Sequence, residues 1–170
     1  MTIHSPLLKI TSHSEDETKK TAAALAKTLA GGMVVCLHGE LGAGKTTFVK
    51  GLAGGLGITE NITSPTFTLM NVYKIQPTHP YSIPPPAASG IRDLSKSGQA
   101  GILTLVHIDT YRLKNEQELV AIGVEDYLGE FGVVTVIEWP EKIAGLLKGK
   151  KVTNVTIDHR GETSRSIVID

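Results

Sequence analysis

The residues best able to do chemistry lie in one short stretch. Gly39-Glu40-Leu41-Gly42-Ala43-Gly44-Lys45-Thr46 has the spacing G-x-x-x-x-G-K-[ST]. The glycines of such a stretch let the backbone curl until successive N–H groups turn inward as an anion nest. A helix starting just after it aims its N-terminal N–H groups and partial positive charge at the same anion. Lys45 is expected to reach the β- and γ-phosphates of a nucleotide, and Thr46 to offer its hydroxyl to Mg²⁺. Thr47 either touches the α-phosphate or only fills the first helical turn. The Glu40 carboxylate would repel a triphosphate, so Glu40 is expected to point away and contribute its backbone.

A phosphate loop needs acids to complete it. Mg²⁺ takes oxygen ligands, and hydrolysis needs a group that orients water. Two acids directly follow apolar runs: Asp109 ends Leu103-Thr104-Leu105-Val106-His107-Ile108, and Glu138 ends Val133-Val134-Thr135-Val136-Ile137. A carboxylate at the end of a buried strand is costly unless it meets a metal or a cation. Either acid can hold Mg²⁺ or orient water. His107 lies two residues before Asp109, hence on the same strand face, and reads as a packed or hydrogen-bonded residue rather than a base. Trp139, the one tryptophan, follows Glu138 and either packs near a nucleotide or fills core space. Arg112 is expected to pair with an acid. Ser64-Pro65-Thr66 sits where phosphate-loop switches keep a nucleotide-sensing threonine.

These residues must be positioned by regular elements. Ser14-Glu15-Asp16-Glu17 reads as a capping box, and behind it Ala22, Leu25, Ala26 and Leu29 recur at helical spacing. Gly31-Gly32 is expected to stop that helix. Met33 to Leu37 is a continuous apolar run, the mark of a strand buried on both faces. Lys45 to Leu52 has helical composition. Thr66 to Tyr73 alternates and reads as a strand, as do the runs Ile102 to Ile108 and Val133 to Ile137. Asn115 to Glu118 reads as a helix start. Val152 to Ile157 and Ser166 to Ile169 read as strands joined around Arg160-Gly161, a hairpin. Gln76 to Gly101 contains Pro77, Pro80 and the run Pro84-Pro85-Pro86, which neither a helix nor a sheet ladder accepts. It reads as a surface loop inserted into one domain.

Composition narrows the class. The chain has 170 residues, with 17 Lys+Arg against 17 Asp+Glu, so its formal net charge is zero. That length fits a single domain with a core that needs no disulfide. Charge balance excludes a generally basic nucleic-acid coat or a polybasic membrane binder. A lone cysteine, Cys36, makes neither a disulfide nor a Cys-rich zinc site. No apolar run approaches the ~20 residues of a membrane span, and the first residues lack the pattern of a signal peptide. A cytoplasmic protein is expected.

Four segments combine into a resemblance. Gly39 to Thr47 (GELGAGKTT), Ser64 to Leu69 (SPTFTL), His107 to Leu113 (HIDTYRL) and Ile137 to Pro140 (IEWP), in this order and spacing, resemble the TsaE family. Its members are bacterial ATPases of tRNA threonylcarbamoyladenosine biosynthesis. The resemblance runs from about Ser14 to Arg165 and departs from the family pattern at Gln76 to Gly101, where a short link is usual. It implies an α/β fold: one P-loop NTPase-like domain with a mostly parallel central sheet flanked by helices and a C-terminal β-hairpin. It implies slow ATP hydrolysis with Mg²⁺ and assembly with TsaD and TsaB, tRNA being met mainly through those partners. It implies that Lys45 and the loop bind phosphates, that Thr46 and Glu138 hold Mg²⁺, and that Asp109 is a second acid of the site. It also makes Ser64-Pro65-Thr66 a switch-like loop and places Glu15, Arg160 and Arg165 near the adenine end. A small-molecule kinase and a non-catalytic, nucleotide-gated binding module are the alternatives on the same loop.

Overall fold

The computed structural model describes residues 8–76 and 101–170. Most of the proline-rich stretch expected to be an inserted loop therefore lies outside the described residues. A seven-stranded sheet runs through the molecule in the order β1-β7-β6-β2-β5-β4-β3. Its centre is parallel: β2 (Met33–His38) lies between β5 (Val133–Glu138) and β6 (Lys151–His159), and β4 (Thr104–Asp109) pairs parallel with β5. The margins are antiparallel, with β3 (Met70–Lys74) on β4, β7 (Arg165–Ile169) on β6 and β1 (Leu8–Ser12) on β7. The expected α/β architecture and C-terminal hairpin are both present.

The central strands are buried on both faces, so alternate residues feed two cores. Val35, Leu37, Leu105, Val134 and Val136 pack on one side under α1 (Glu15–Ala26) and α2 (Lys45–Gly55). Val34, Cys36, Val106, Ile108 and Ile137 pack on the other side with Leu119 of the short helix α3 (Gln117–Ala121), Val124 and Leu128. Burial pushes the Cys36 thiol up to about 12, with a smaller push from the Glu141 charge. No helix among the described residues is long and apolar enough to cross a membrane.

Helix α1 opens as its sequence says. The Ser14 hydroxyl accepts from the Glu17 amide at 3.1 Å. Glu17 reaches back to the amide of His13 at 2.7 Å, one residue earlier than the usual reciprocal partner. The helix ends at Ala26 rather than at Gly31-Gly32, because three overlapping tight turns carry Leu29 into the core first. The strand expected over Thr66 to Tyr73 begins only at Met70. Residues 66–69 turn instead, with Leu69 at φ 64° and its amide donating to the Pro65 carbonyl at 2.6 Å. Strand β1 has no counterpart in the sequence reading: it is a half-exposed edge whose pairing with β7 comes from opposite ends of the chain.

Helices α1 and α2 pack closely because small residues face each other. A Cβ on Gly51 would lie 2.4 Å from the Lys19 carbonyl oxygen, whereas one on Gly54 would meet nothing within 4 Å. Two substitutions in one helix should thus have opposite signs. Gly54→Ala should stabilise by about 0.5 kcal/mol through backbone entropy, and Gly51→Ala should destabilise by about 1–3 kcal/mol through overpacking, both read from urea unfolding. Cys36, 1% exposed, should resist iodoacetamide at pH 8 in the folded protein and react once urea unfolds it.

Candidate functional site

The carboxyl ends of β2, β4 and β5 fall on one edge of the sheet, and the turn after β2 rises from it into α2. Open α/β sheets bind ligands at such a crevice. Residues 39–44 make the turn with Gly39, Gly42 and Gly44 all at positive φ. At Gly39 the constraint is double: φ is 137°, and a Cβ would stand 2.2 Å from the Ile157 carbonyl oxygen of β6. Gly44, at φ 107°, opens α2 with no side-chain cap and no acid in the first turn. The first N–H groups of α2 therefore keep their hydrogen-bonding capacity and partial charge for something outside the helix. Helix α1 is the contrast, since Ser14, Glu15, Asp16 and Glu17 satisfy its own N-terminus.

Lys45 heads α2 and is only 5% exposed. Its Nζ donates to the carbonyls of Gly39 at 2.7 Å and Glu40 at 3.0 Å and lies 3.8 Å from the ring centroid of Trp139. Burial lowers its pKa below the ordinary lysine value; Glu138, then Asp109, Glu141 and Glu40, pull it back up. Glu40 thus serves through its carbonyl while its side chain stays exposed, as expected.

Glu138 ends β5 and is 4% exposed. Its Oε1 accepts from the Thr46 hydroxyl at 3.0 Å and meets His107 Nε2 at 2.9 Å. His107 is completely buried and bonded, the packed reading of the sequence, but the group it holds belongs to the site. Asp109, the register neighbour of Glu138, accepts at Oδ2 from Ser64 at 2.9 Å and from Thr66, and at Oδ1 from the Tyr111 amide at 2.9 Å. Residues 64–66 are thereby latched onto the second acid. Trp139 takes φ 62°, which lifts its ring out of the sheet to lie 5.2 Å from Tyr111 and over Lys45. Trp139 is therefore half-buried at the cleft and is not core filler.

These groups line a cleft of about 450 Å³. Its floor is Gly42, Gly44, Lys45, Thr46 and Thr47, and its walls are Leu41, Ser64, Thr66, Asp109, Glu138 and Trp139, together with Tyr111 and Arg112. One expectation changes. Arg112 was expected to pair with an acid; its guanidinium instead lies 4.4 Å from the ring centroid of Phe67, and among the described residues it forms no salt bridge. Arg165 turns its Nε to the Ala43 carbonyl at 2.9 Å and its Nη1 to three carbonyls of the hairpin turn, so it clamps the loop from behind. Glu15 and Arg160 do not line the cleft; Glu15 pairs with Lys19 on the exposed face of α1. Tyr111 and Thr110 were not singled out. Thr110 donates to the carbonyls of Glu138 at 3.1 Å and Trp139 at 2.6 Å, tying the two acid-bearing strand ends together.

The donor set suits a hard cation. A hydroxyl and a carboxylate meet within 3.0 Å at the head of α2, with a second carboxylate beside them. Among the described residues no cluster of three His, Cys, Asp or Glu side chains forms a closed metal cage. Few protein oxygens plus substrate phosphates is the usual Mg²⁺ arrangement. The Arg165 clamp is itself open to test: Arg165→Ala should cost about 1–2 kcal/mol in urea unfolding, the worth of charge-assisted bonds to carbonyls that are part-exposed.

Comparisons with known proteins converge. The family model described as "Threonylcarbamoyl adenosine biosynthesis protein TsaE" matches residues 12–83 and 92–167. A Treponema pallidum protein named "tRNA threonylcarbamoyladenosine biosynthesis protein TsaE" is 39% identical over 146 residues, 86% of this chain and 88% of that one. Its Bacillus subtilis namesake is 34% identical over 160 residues, 94% of this chain and 83% of the relative. The crystal structure of Bacillus subtilis YdiB superimposes with a TM-score of 0.67 at 30% identity, covering 98% of this chain and 86% of that one. With the phosphate loop, the strand-end acids and the 64–69 turn all inside the matched residues, the chain belongs to the TsaE family.

Proposed function

We propose that this chain is a Mg²⁺-dependent ATPase that supports threonylcarbamoyl modification of adenosine in tRNA, working with TsaD and TsaB. The observation that carries the reading is the junction at the head of α2. An uncapped helix N-terminus, the buried Lys45 and the Thr46–Glu138 pair converge there on one cleft.

The chemistry is attack of water on the γ-phosphate of ATP, and the protein's part is positioning and charge stabilisation. The loop amides and the first turn of α2 hold the phosphate chain. Lys45 exchanges its two carbonyl partners for phosphate oxygens, whose charge is a better match for an ammonium taken out of water. Thr46 and Glu138 would hold Mg²⁺, which would neutralise charge on the β- and γ-phosphates. Asp109 is the second acid, fixed by Ser64, Thr66 and the Tyr111 amide and free to orient water. Arg112, the arginine that lines the cleft among the described residues, lies on the Phe67 ring, so charge compensation is incomplete and slow turnover is expected without partners. The balanced net charge fits a protein that leaves the tRNA mainly to its partners.

Phosphate release from ATP, measured with and without TsaD, TsaB and tRNA, tests the reading. Wild type should release phosphate slowly alone and faster in the complete mixture. Lys45→Ala should lose nucleotide binding and turnover together. Glu138→Ala should still bind nucleotide without metal but hydrolyse about 100-fold more slowly. If Glu138→Ala supported tRNA modification at the wild-type level, ATP would act here as an assembly switch and turnover would not be the function. Phosphate appearing only on an added acceptor would make the chain a kinase.

A further inference from the structure

We infer that His107 is a positioning residue for the cation side of this site: its ring fixes the Glu138 carboxylate beside Thr46, and so sets how much a divalent cation adds to nucleotide affinity. The inference rests on the ATPase reading above and deepens it.

Three observations point the same way. First, His107 is completely buried on β4, the strand next to the β3 edge, where its register neighbours are Asn71 on β3 and Val136 on β5. An imidazole there gives up its hydration, a cost that Val or Leu would avoid. Second, the ring recovers only half of that cost. Nε2 meets Glu138 Oε1 at 2.9 Å, whereas Nδ1 is buried with no hydrogen-bond partner among the described residues. Packing alone would be met by an aliphatic side chain, which has no ring nitrogen to desolvate. Against a carboxylate, which only accepts, Nε2 is the donor of this bond. Third, the bond ends on the same oxygen that Thr46 approaches at 3.0 Å. Both donors converge on Oε1, so the carboxylate cannot swing away from the head of α2 without leaving one of them unpaired. The Thr46 hydroxyl spends its proton on Glu138 and keeps its lone pairs for a cation.

This is the logic by which groups behind a metal ligand hold it in place, and their loss commonly costs about 10–100-fold in metal affinity. The rigid β4–β5 pairing delivers the effect, because His107 and Glu138 come from adjacent strands rather than from a loop.

The experiment reads binding instead of turnover. A fluorescent, non-hydrolysable ATP analogue is titrated with Mg²⁺ and again in EDTA, and the ratio of the two affinities is the cation's contribution. His107→Met fills the space without a donor; His107→Gln restores an N–H at nearly the same reach. His107→Met should shrink the ratio about 10-fold or more while the EDTA affinity stays within about twofold of wild type, and His107→Gln should recover most of the ratio. An unchanged ratio in His107→Met, whatever its melting temperature, makes His107 a packing residue and overturns the inference alone. Equal losses in Met and Gln variants overturn it too. A wild-type chain with no Mg²⁺-dependent gain overturns the ATPase reading and this one with it. Should His107→Met not fold, His107→Leu is read the same way: a shrunken ratio supports the inference, and a ratio equal to that of wild type overturns it.

Discussion

A carboxylate buried at the end of a parallel strand is the constraint from which the rest of this structure follows. The Glu138 oxygens need donors from the protein there, because water is excluded from most of its surface. Its carboxylate donors come from two separate elements, the hydroxyl of Thr46 on α2 and the ring of His107 on β4, while the hydroxyl of Thr110, just past β4, donates to its carbonyl. Each must arrive with sub-ångström accuracy, which only packed strands and a packed helix deliver. The parallel register of β2, β5 and β4 therefore defines the site as well as the core.

The two first helices show how similar N-termini are given different tasks. Helix α1 carries its own anions and a serine cap, so its end is electrostatically complete. Helix α2 begins at a left-handed glycine with neither cap nor acid, so its end is complete only with an external anion. Small residues hold the two helices together: Ala23 and Ala26 lie against Gly55, and Lys19 against Gly51, close enough that no side chain would fit between. The closeness fixes the direction in which α2 points at the cleft.

Backbone strain gathers in the same region. Among the described residues the non-glycine positions with positive φ are Leu69 and Trp139. Leu69 ends the turn that latches Ser64 and Thr66 onto Asp109, and its carbonyl accepts from the Asp109 amide at 3.1 Å. Trp139 is turned so that its ring covers Lys45. Strained residues persist where surrounding structure over-determines them, and they gather at sites that do work. Here both serve to aim a neighbour of the phosphate loop.

The parts of this structure that depend on local chemistry are legible along the chain. The phosphate loop is legible because glycine spacing is a backbone requirement. The central strands are legible because burial on both faces leaves uninterrupted apolar runs, and the capping box at Ser14 because its bonds close within four residues. Asp109 and Glu138 stood out as acids that nothing apolar would tolerate. Tertiary structure alone decided what depends on meetings across the chain. Edge strand β1 has an unremarkable sequence and exists through β7. Arg112 found an aromatic ring instead of an acid, and Arg165 a loop carbonyl. His107 looked like core and is core, yet its one bond falls on the carboxylate that matters, because strand register set 31 residues away places Glu138 beside it. Spacing along a chain reports periodicity and local bonding. Which distant donor reaches which buried acceptor is fixed only when the sheet closes.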